Sequence, residues 1–99
     1  MKAAVIGMGV EGKKALNSLL KHDWEVYASD LNPNIQISDL PISLSDAYIS
    51  KSESKISIRK DKISIDLGFN NQEIIDSCEI ISPASIFSTI YIMVTPVLG

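Results

Sequence analysis

The chain has 99 residues, 45% of them hydrophobic and 21% charged, which suits one small domain with its own core and excludes a disordered tail. A formal net charge of −3 and a pI near 4.9 argue against a general nucleic-acid binder, which would carry a basic face. Cys78 is the only cysteine, so no internal disulfide can form, and a reducing, cytoplasmic compartment is expected.

Residues 2–6 read as a buried parallel strand, and the four apolar residues after Lys2 are too few for a secretory core. Three glycines follow at once, Gly7, Gly9 and Gly12, spaced G-x-G-x-x-G. Gly7 is expected to turn the chain sharply off the strand. Gly9, lacking a side chain, leaves room for a phosphate against the backbone, and Gly12 lets the next helix pack close to the sheet. That helix is predicted over residues 10–22, with Val10, Leu16, Leu19, Leu20 and Ala15 near one face and Lys13, Lys14, Asn17, Ser18 and Lys21 on the other. Its first turn aims unpaired N–H groups and a positive dipole end at whatever anion sits on the glycines. His22 and Asp23 read as a solvated helix end. Residues 24–29 read as a second strand, delivering Asp30 at its end, and Asn32-Pro33-Asn34 is turn chemistry.

Residues 35–54 are rich in Ser and Asp and include Pro41, with a short helix expected over 45–50. Residues 55–59 and 62–66 alternate apolar and polar, which predicts two strands with one wet face, joined by a tight turn at Lys60-Asp61. Asn70-Asn71-Gln72-Glu73 has the pattern of a capping box with Asn70 as the cap, opening a short helix with Ile74, Ile75 and Cys78 inward. Cys78 is expected to be a buried, inert thiol. Residues 79–82 read as a third parallel strand stopped by Pro83. Residues 86–94 are apolar but broken by Ser88 and Thr89, well short of the roughly 20 residues a membrane helix needs. They read as a buried strand, and as a final edge strand they offer a route to self-association.

Strands alternating with helices predict an α/β, Rossmann-like three-layer domain with a mostly parallel sheet, filling residues 1–99 as one nucleotide-binding domain. Ligands on such sheets sit beyond the carboxyl ends of the strands, where Gly7, Gly9, Gly12, Asp30, Ser82 and Pro83 all fall. Asp30 lies 18 residues after Gly12, the spacing at which an acid meets a ribose 2′-hydroxyl. An NAD(H)-binding module, in a dehydrogenase or a regulatory domain, is therefore one reading. The same glycines nearly spell a triphosphatase loop, but Lys14 stands where a Ser or Thr must hold Mg²⁺. A piece kept only for association with a partner is a further, non-enzymatic reading. No catalytic residue and no metal cluster stands out, and the single histidine supports no triad.

Three blocks together carry a more specific resemblance. Ala4-Val-Ile-Gly-Met-Gly-Val-Glu-Gly-Lys-Lys-Ala-Leu16, then Val26-Tyr-Ala-Ser-Asp30, then Cys78-Glu-Ile-Ile-Ser-Pro83 resemble the N-terminal domain of the Mur ligases. The chain is most similar to the type that adds D-glutamate to UDP-N-acetylmuramoyl-L-alanine and to archaeal relatives acting on pseudomurein precursors. The glycine block is generic; a hydrophobic strand ending in Ser-Pro, third in order, is the more specific part. The resemblance implies that this domain holds the UDP part of a UDP-linked substrate. It places the diphosphate on the N–H groups of Gly9, Val10 and Glu11, the uracil by Asp30 and Leu31, and the backbone of Ser82, Pro83 and Ala84 over the base. Glu11 stands where the family carries Ser or Thr, and Ala84 where it carries Gly. ATP and Mg²⁺ would belong to a central domain, and peptide-bond formation also to a C-terminal one, both absent here. The chain is thus expected to bind a small-molecule substrate, with no cofactor of its own and no nucleic-acid or membrane partner, and not to catalyse ligation alone.

Overall fold

The order of strands in the sheet follows from where the chain can and cannot form helix. In the computed structural model, which describes residues 1–83, β1 (Lys2–Ile6) leads through the glycine turn into α1 (Val10–Lys21) and back to β2 (Glu25–Asp30). β2 pairs parallel with β1, Ile6 standing opposite Ser29. A conventional crossover helix would come next. Instead residues 31–47 carry Pro33 and Pro41, begin with the two Asx-type turns made by Asp30 and Asn32, and form only a single 3₁₀ turn, Ile37–Asp39. The chain then makes an antiparallel meander, β3 (Tyr48–Lys51), β4 (Ile56–Lys60) and β5 (Ile63–Leu67), whose last strand pairs parallel with β2. A five-residue helix, α2 (Gln72–Asp76), returns it to β6 (Ile80–Pro83), parallel to β1 on the side away from β2.

The sheet order is therefore β3-β4-β5-β2-β1-β6. This corrects the expected Rossmann-like three-layer domain with a mostly parallel sheet. The sheet is mixed, only two α-helices form among the described residues, and α2 is too short to make a full second helical layer. The physical reason lies in residues 31–60, whose turn residues and period-two alternation favour loop and hairpin over helix. The short helix expected over 45–50 is likewise replaced by β3, because Tyr48, Ile49 and Ser50 pair with Arg59, Ile58 and Ser57.

Residues of alternate strand positions go to different cores. Ala3, Val5, Val26, Ala28, Ile58, Ile65 and Leu67 face α1, whose Ala15, Leu16 and Leu19 complete the main core. Leu40, with the partly buried Ile35, Ile37 and Ile42, drapes the irregular segment over the same core in place of a helix. Each fully buried aliphatic side chain there contributes roughly 1.5–3 kcal/mol. The opposite face is thinner, with Ala4 and Tyr27 packed against Ile75 of α2.

Local signals shift by one residue in two places. The hairpin turn between β4 and β5 is Asp61-Lys62, since Lys60 pairs with Ile63 and Asp61 takes the positive φ of 49°. The cap of α2 is Asn71, whose side chain accepts from Ile74 N–H at 3.2 Å, while Asn70 turns to Ser29 instead. The end of α1 is a two-bond cap. Asp23 at φ 60° donates its N–H to Leu20, and Trp24 donates to Leu19, with Trp24 and Leu19 packed together in the main core. Val10, expected inward, is 70% exposed, and Gly12 is buried in its stead. The strand expected over 86–94 lies outside the described residues. Among the described residues no helix is long and apolar enough to cross a membrane.

Gly12 and Gly9 differ in what a side chain would meet. A Cβ on Gly12 would overlap the carbonyl of Gly7, whereas a Cβ on Gly9 would meet nothing within 4 Å. Gly12→Ala is expected to lower stability by about 1–3 kcal/mol or more, as overpacking does. Gly9→Ala is expected to stay within ~1 kcal/mol of the unmodified chain, the cost of a poorer helix cap. Urea unfolding of the two variants checks this; equal losses would contradict it.

Candidate functional site

The carboxyl ends of β1, β2 and β6 lie side by side, because Ile6 is paired with Ser29 on one flank and with Pro83 on the other. This is also where the chain reverses direction through the sheet. From β1 it moves to β2 by way of α1, and later it returns past β2 to lay β6 on the far side of β1. Open α/β sheets bind ligands at such a reversal. The glycine turn, Asp30 and the Ser82-Pro83 strand end are thereby brought together, as backbone segments, at one end of the sheet. Ala84 lies outside the described residues.

The turn itself is held on several sides. Gly7 adopts φ +108°, a conformation that side-chain-bearing residues avoid, and its N–H donates to the Ser29 carbonyl at 2.6 Å. Met8 sends its side chain inward, fully buried in the main core. Its N–H points the other way and donates to Oδ2 of Asp30 at 2.7 Å. Gly9 then caps α1 in an extended conformation, with no side-chain hydrogen bond to the helix start. It is exposed, with open space where a Cβ would stand. A helix start without a capping side chain suits an external acceptor, and an anion above all.

The rim of this region carries both signs and two exposed apolar side chains. Glu11 lies in the first turn of α1, with its carboxylate 4.0 Å from Lys14 Nζ, a weak exposed pair. Val10 and Leu31 are 70% and 68% exposed. Oδ1 of Asp30 accepts from Asn32 N–H at 2.9 Å, and Asn32 in turn accepts from Asn34, so the chain leaves β2 through two successive side-chain turns.

Several residues here were not foreseen from the sequence. The carbonyl of Asp30 accepts from Gly68 N–H at 2.7 Å, and Asp30 bridges Phe69. Gly68 has φ +94°, and a Cβ there would overlap the Ser54 carbonyl. A glycine two residues after the alternating run of residues 62–66, followed closely by Asn70-Asn71, was the available signal. Ser29 Oγ donates to Asn70 Oδ1 at 2.7 Å, fixing the loop into α2.

Behind this end of the sheet runs a buried polar chain. The Tyr27 hydroxyl donates to Asp66 Oδ2 at 2.7 Å and accepts from Asn71 N–H at 2.8 Å, while Arg59 Nη1 donates to Asp66 Oδ1 at 3.0 Å. Asp66 is wholly inaccessible, so the face of β5 expected to be wet is closed at this point by its partners. Burial pushes the Tyr27 hydroxyl well above the usual tyrosine range; the Asn71 N–H opposes this and Asp66 reinforces it. The hydroxyl therefore stays protonated and serves as a fixed donor. Cys78 is half-buried with Sγ donating to the Ile74 carbonyl at 3.4 Å, and burial raises its thiol, partly offset by Lys2. It is a thiol at neutral pH, which suits structure rather than nucleophilic chemistry.

At the opposite, amino end of the strands, a shallow cleft is lined by Met1, Lys2, Asp23, Glu25, Lys62 and Glu79. Its charges pair among themselves, Lys2 with Glu25 at 3.3 Å and Lys62 with Asp23 at 3.0 Å. Among the described residues, no group of three or more His, Cys, Asp or Glu side chains is placed to hold a metal ion. Compared with protein families, curated proteins and solved structures, the chain finds no significant match.

Tyr27→Phe leaves the partly buried Asn71 N–H and one buried Asp66 oxygen without their partner. It is expected to cost about 1–3 kcal/mol in urea unfolding, and unchanged stability would remove the hydroxyl from the fold's support. Cys78 in the folded chain is expected to react with iodoacetamide at pH 7.5 about tenfold more slowly than in urea; equal rates would contradict its raised thiol and partial burial.

Proposed function

We propose that this chain binds the UDP part of a UDP-linked cell-wall precursor, as the N-terminal domain or a fragment of a Mur-type ATP-dependent peptide ligase. The observation that carries this reading is the open glycine turn. Gly9 stands exposed and unfilled at the start of α1, where the ends of β1, β2 and β6 meet. A diphosphate there accepts from the N–H groups of Gly9, Val10 and Glu11 and sits at the positive end of the α1 dipole. Asp30 with the exposed Leu31 flanks the uracil, and the Ser82-Pro83 backbone covers it. The resemblance of the three sequence blocks selects uridine diphosphate from the ligands that such a turn accommodates. In Mur-type ligases ATP, Mg²⁺ and the chemistry of ligation belong to other domains, and the role of residues 1–99 in this reading is to hold the substrate. A cytoplasmic location goes with this role and with the single, unbridged Cys78.

Calorimetric titration of the chain with UDP, UDP-N-acetylmuramoyl peptides, NAD and ATP tests the reading. UDP and its muramoyl derivatives are expected to bind, and clearly tighter binding of NAD would replace this reading with a nicotinamide module. Gly9→Ala is expected to weaken UDP binding by about tenfold with stability retained, because its methyl group fills the phosphate's place. Glu11→Thr is expected to tighten it about two- to fivefold by removing a charge at the helix start. Weaker binding in Glu11→Thr would contradict the repulsion between Glu11 and the diphosphate.

A further inference from the structure

Asp30 is the residue at which the candidate site is knotted together, and its carboxylate is already engaged. Oδ2 accepts from Met8 N–H at 2.7 Å and Oδ1 from Asn32 N–H at 2.9 Å. Its carbonyl accepts from Gly68 N–H at 2.7 Å. One residue thus joins the glycine turn, the exit from β2 and the end of β5.

Met8 stands between Gly7 and Gly9, the two residues with the widest backbone freedom in the turn. Its buried side chain holds the turn from inside, and the Asp30 carboxylate holds its amide from outside. Without that second tie, the Gly7-Met8-Gly9 backbone has many conformations to lose when an anion arrives, and the lost entropy weakens binding. Acting directly on a diphosphate, a carboxylate could only repel it. Pre-ordering and repulsion therefore predict opposite signs for removal of the Asp30 charge.

Resting on the UDP-binding reading above, we propose that Asp30 is a positioning residue for the diphosphate, bracing Met8 so that the amides after Gly9 are aimed before the ligand binds. Inorganic pyrophosphate is the discriminating probe, because it has neither the sugar nor the base of UDP and so reports on the glycine turn alone. Asp30→Asn keeps one acceptor oxygen but cannot serve both backbone amides. This variant is expected to bind pyrophosphate about tenfold more weakly, the loss of one charge-assisted hydrogen bond's worth of order. Met8 amide hydrogen exchange, read by NMR, is expected to speed up in Asp30→Asn and further in Asp30→Ala, while the exchange of Val5 and Ala28 in β1 and β2 stays slow. Unchanged or tighter pyrophosphate binding in Asp30→Asn overturns the proposal, as does an unchanged Met8 exchange rate. An unmodified chain that binds pyrophosphate but not UDP leaves this proposal standing and removes the uridine reading. An unmodified chain that binds neither overturns both.

Discussion

The approach of α1 to the end of β1 is the constraint on which the candidate site depends. The Gly7 carbonyl occupies the space where any side chain at position 12 would begin. That contact brings the helix start down onto the turn and lets Ala15, Leu16 and Leu19 reach Ala3, Val5, Val26 and Ala28. The same closeness leaves Gly9 at the outer corner of the turn, exposed and unfilled. A packing requirement in the core and an open corner at the surface are thus two ends of one short segment. Met8 links them, with its side chain in the core and its amide held at the surface by Asp30.

The two faces of the sheet solve different problems. The α1 face is apolar and supplies most of the hydrophobic stabilisation. The other face is closed partly by α2 and partly by hydrogen bonds, with Tyr27, Asp66 and Arg59 satisfying one another under the loop that starts α2. No buried side-chain nitrogen or oxygen among the described residues lacks a partner. Such a chain contributes little net energy against an apolar replacement, but removing one member strands the others. It fixes the position of Asn71, the cap of α2, and so the path by which the chain crosses to β6.

Motifs with a steric cause were legible. Gly7 and Gly12 have the roles that their spacing predicts, because a positive φ and a helix-to-turn contact exclude other residues. The strand, helix and strand of the first 30 residues were also legible, since long apolar periodicity outweighs local detail. One-residue errors arose where two neighbours could do the same job. Asn70 and Asn71 both can cap a helix, and only the position of Ser29 and Tyr27 assigns Asn70 to one and Asn71 to the other. The expected helix over 45–50 failed because antiparallel pairing with β4, the next strand in the chain, overrode weak helix propensity.

By itself, the sequence determined the βαβ opening, its glycine turn and the acid at the end of the second strand. These depend on residues within about one turn or one strand of each other, where sterics and periodicity act locally. Only the tertiary structure decided that β5 pairs parallel with β2 and so sets the strand order, that Asp66 is buried, and that both oxygens of Asp30 are committed to backbone amides. Each of those depends on which strands become neighbours. That choice is made by pairing and burial summed over the whole chain, and no local pattern encodes it.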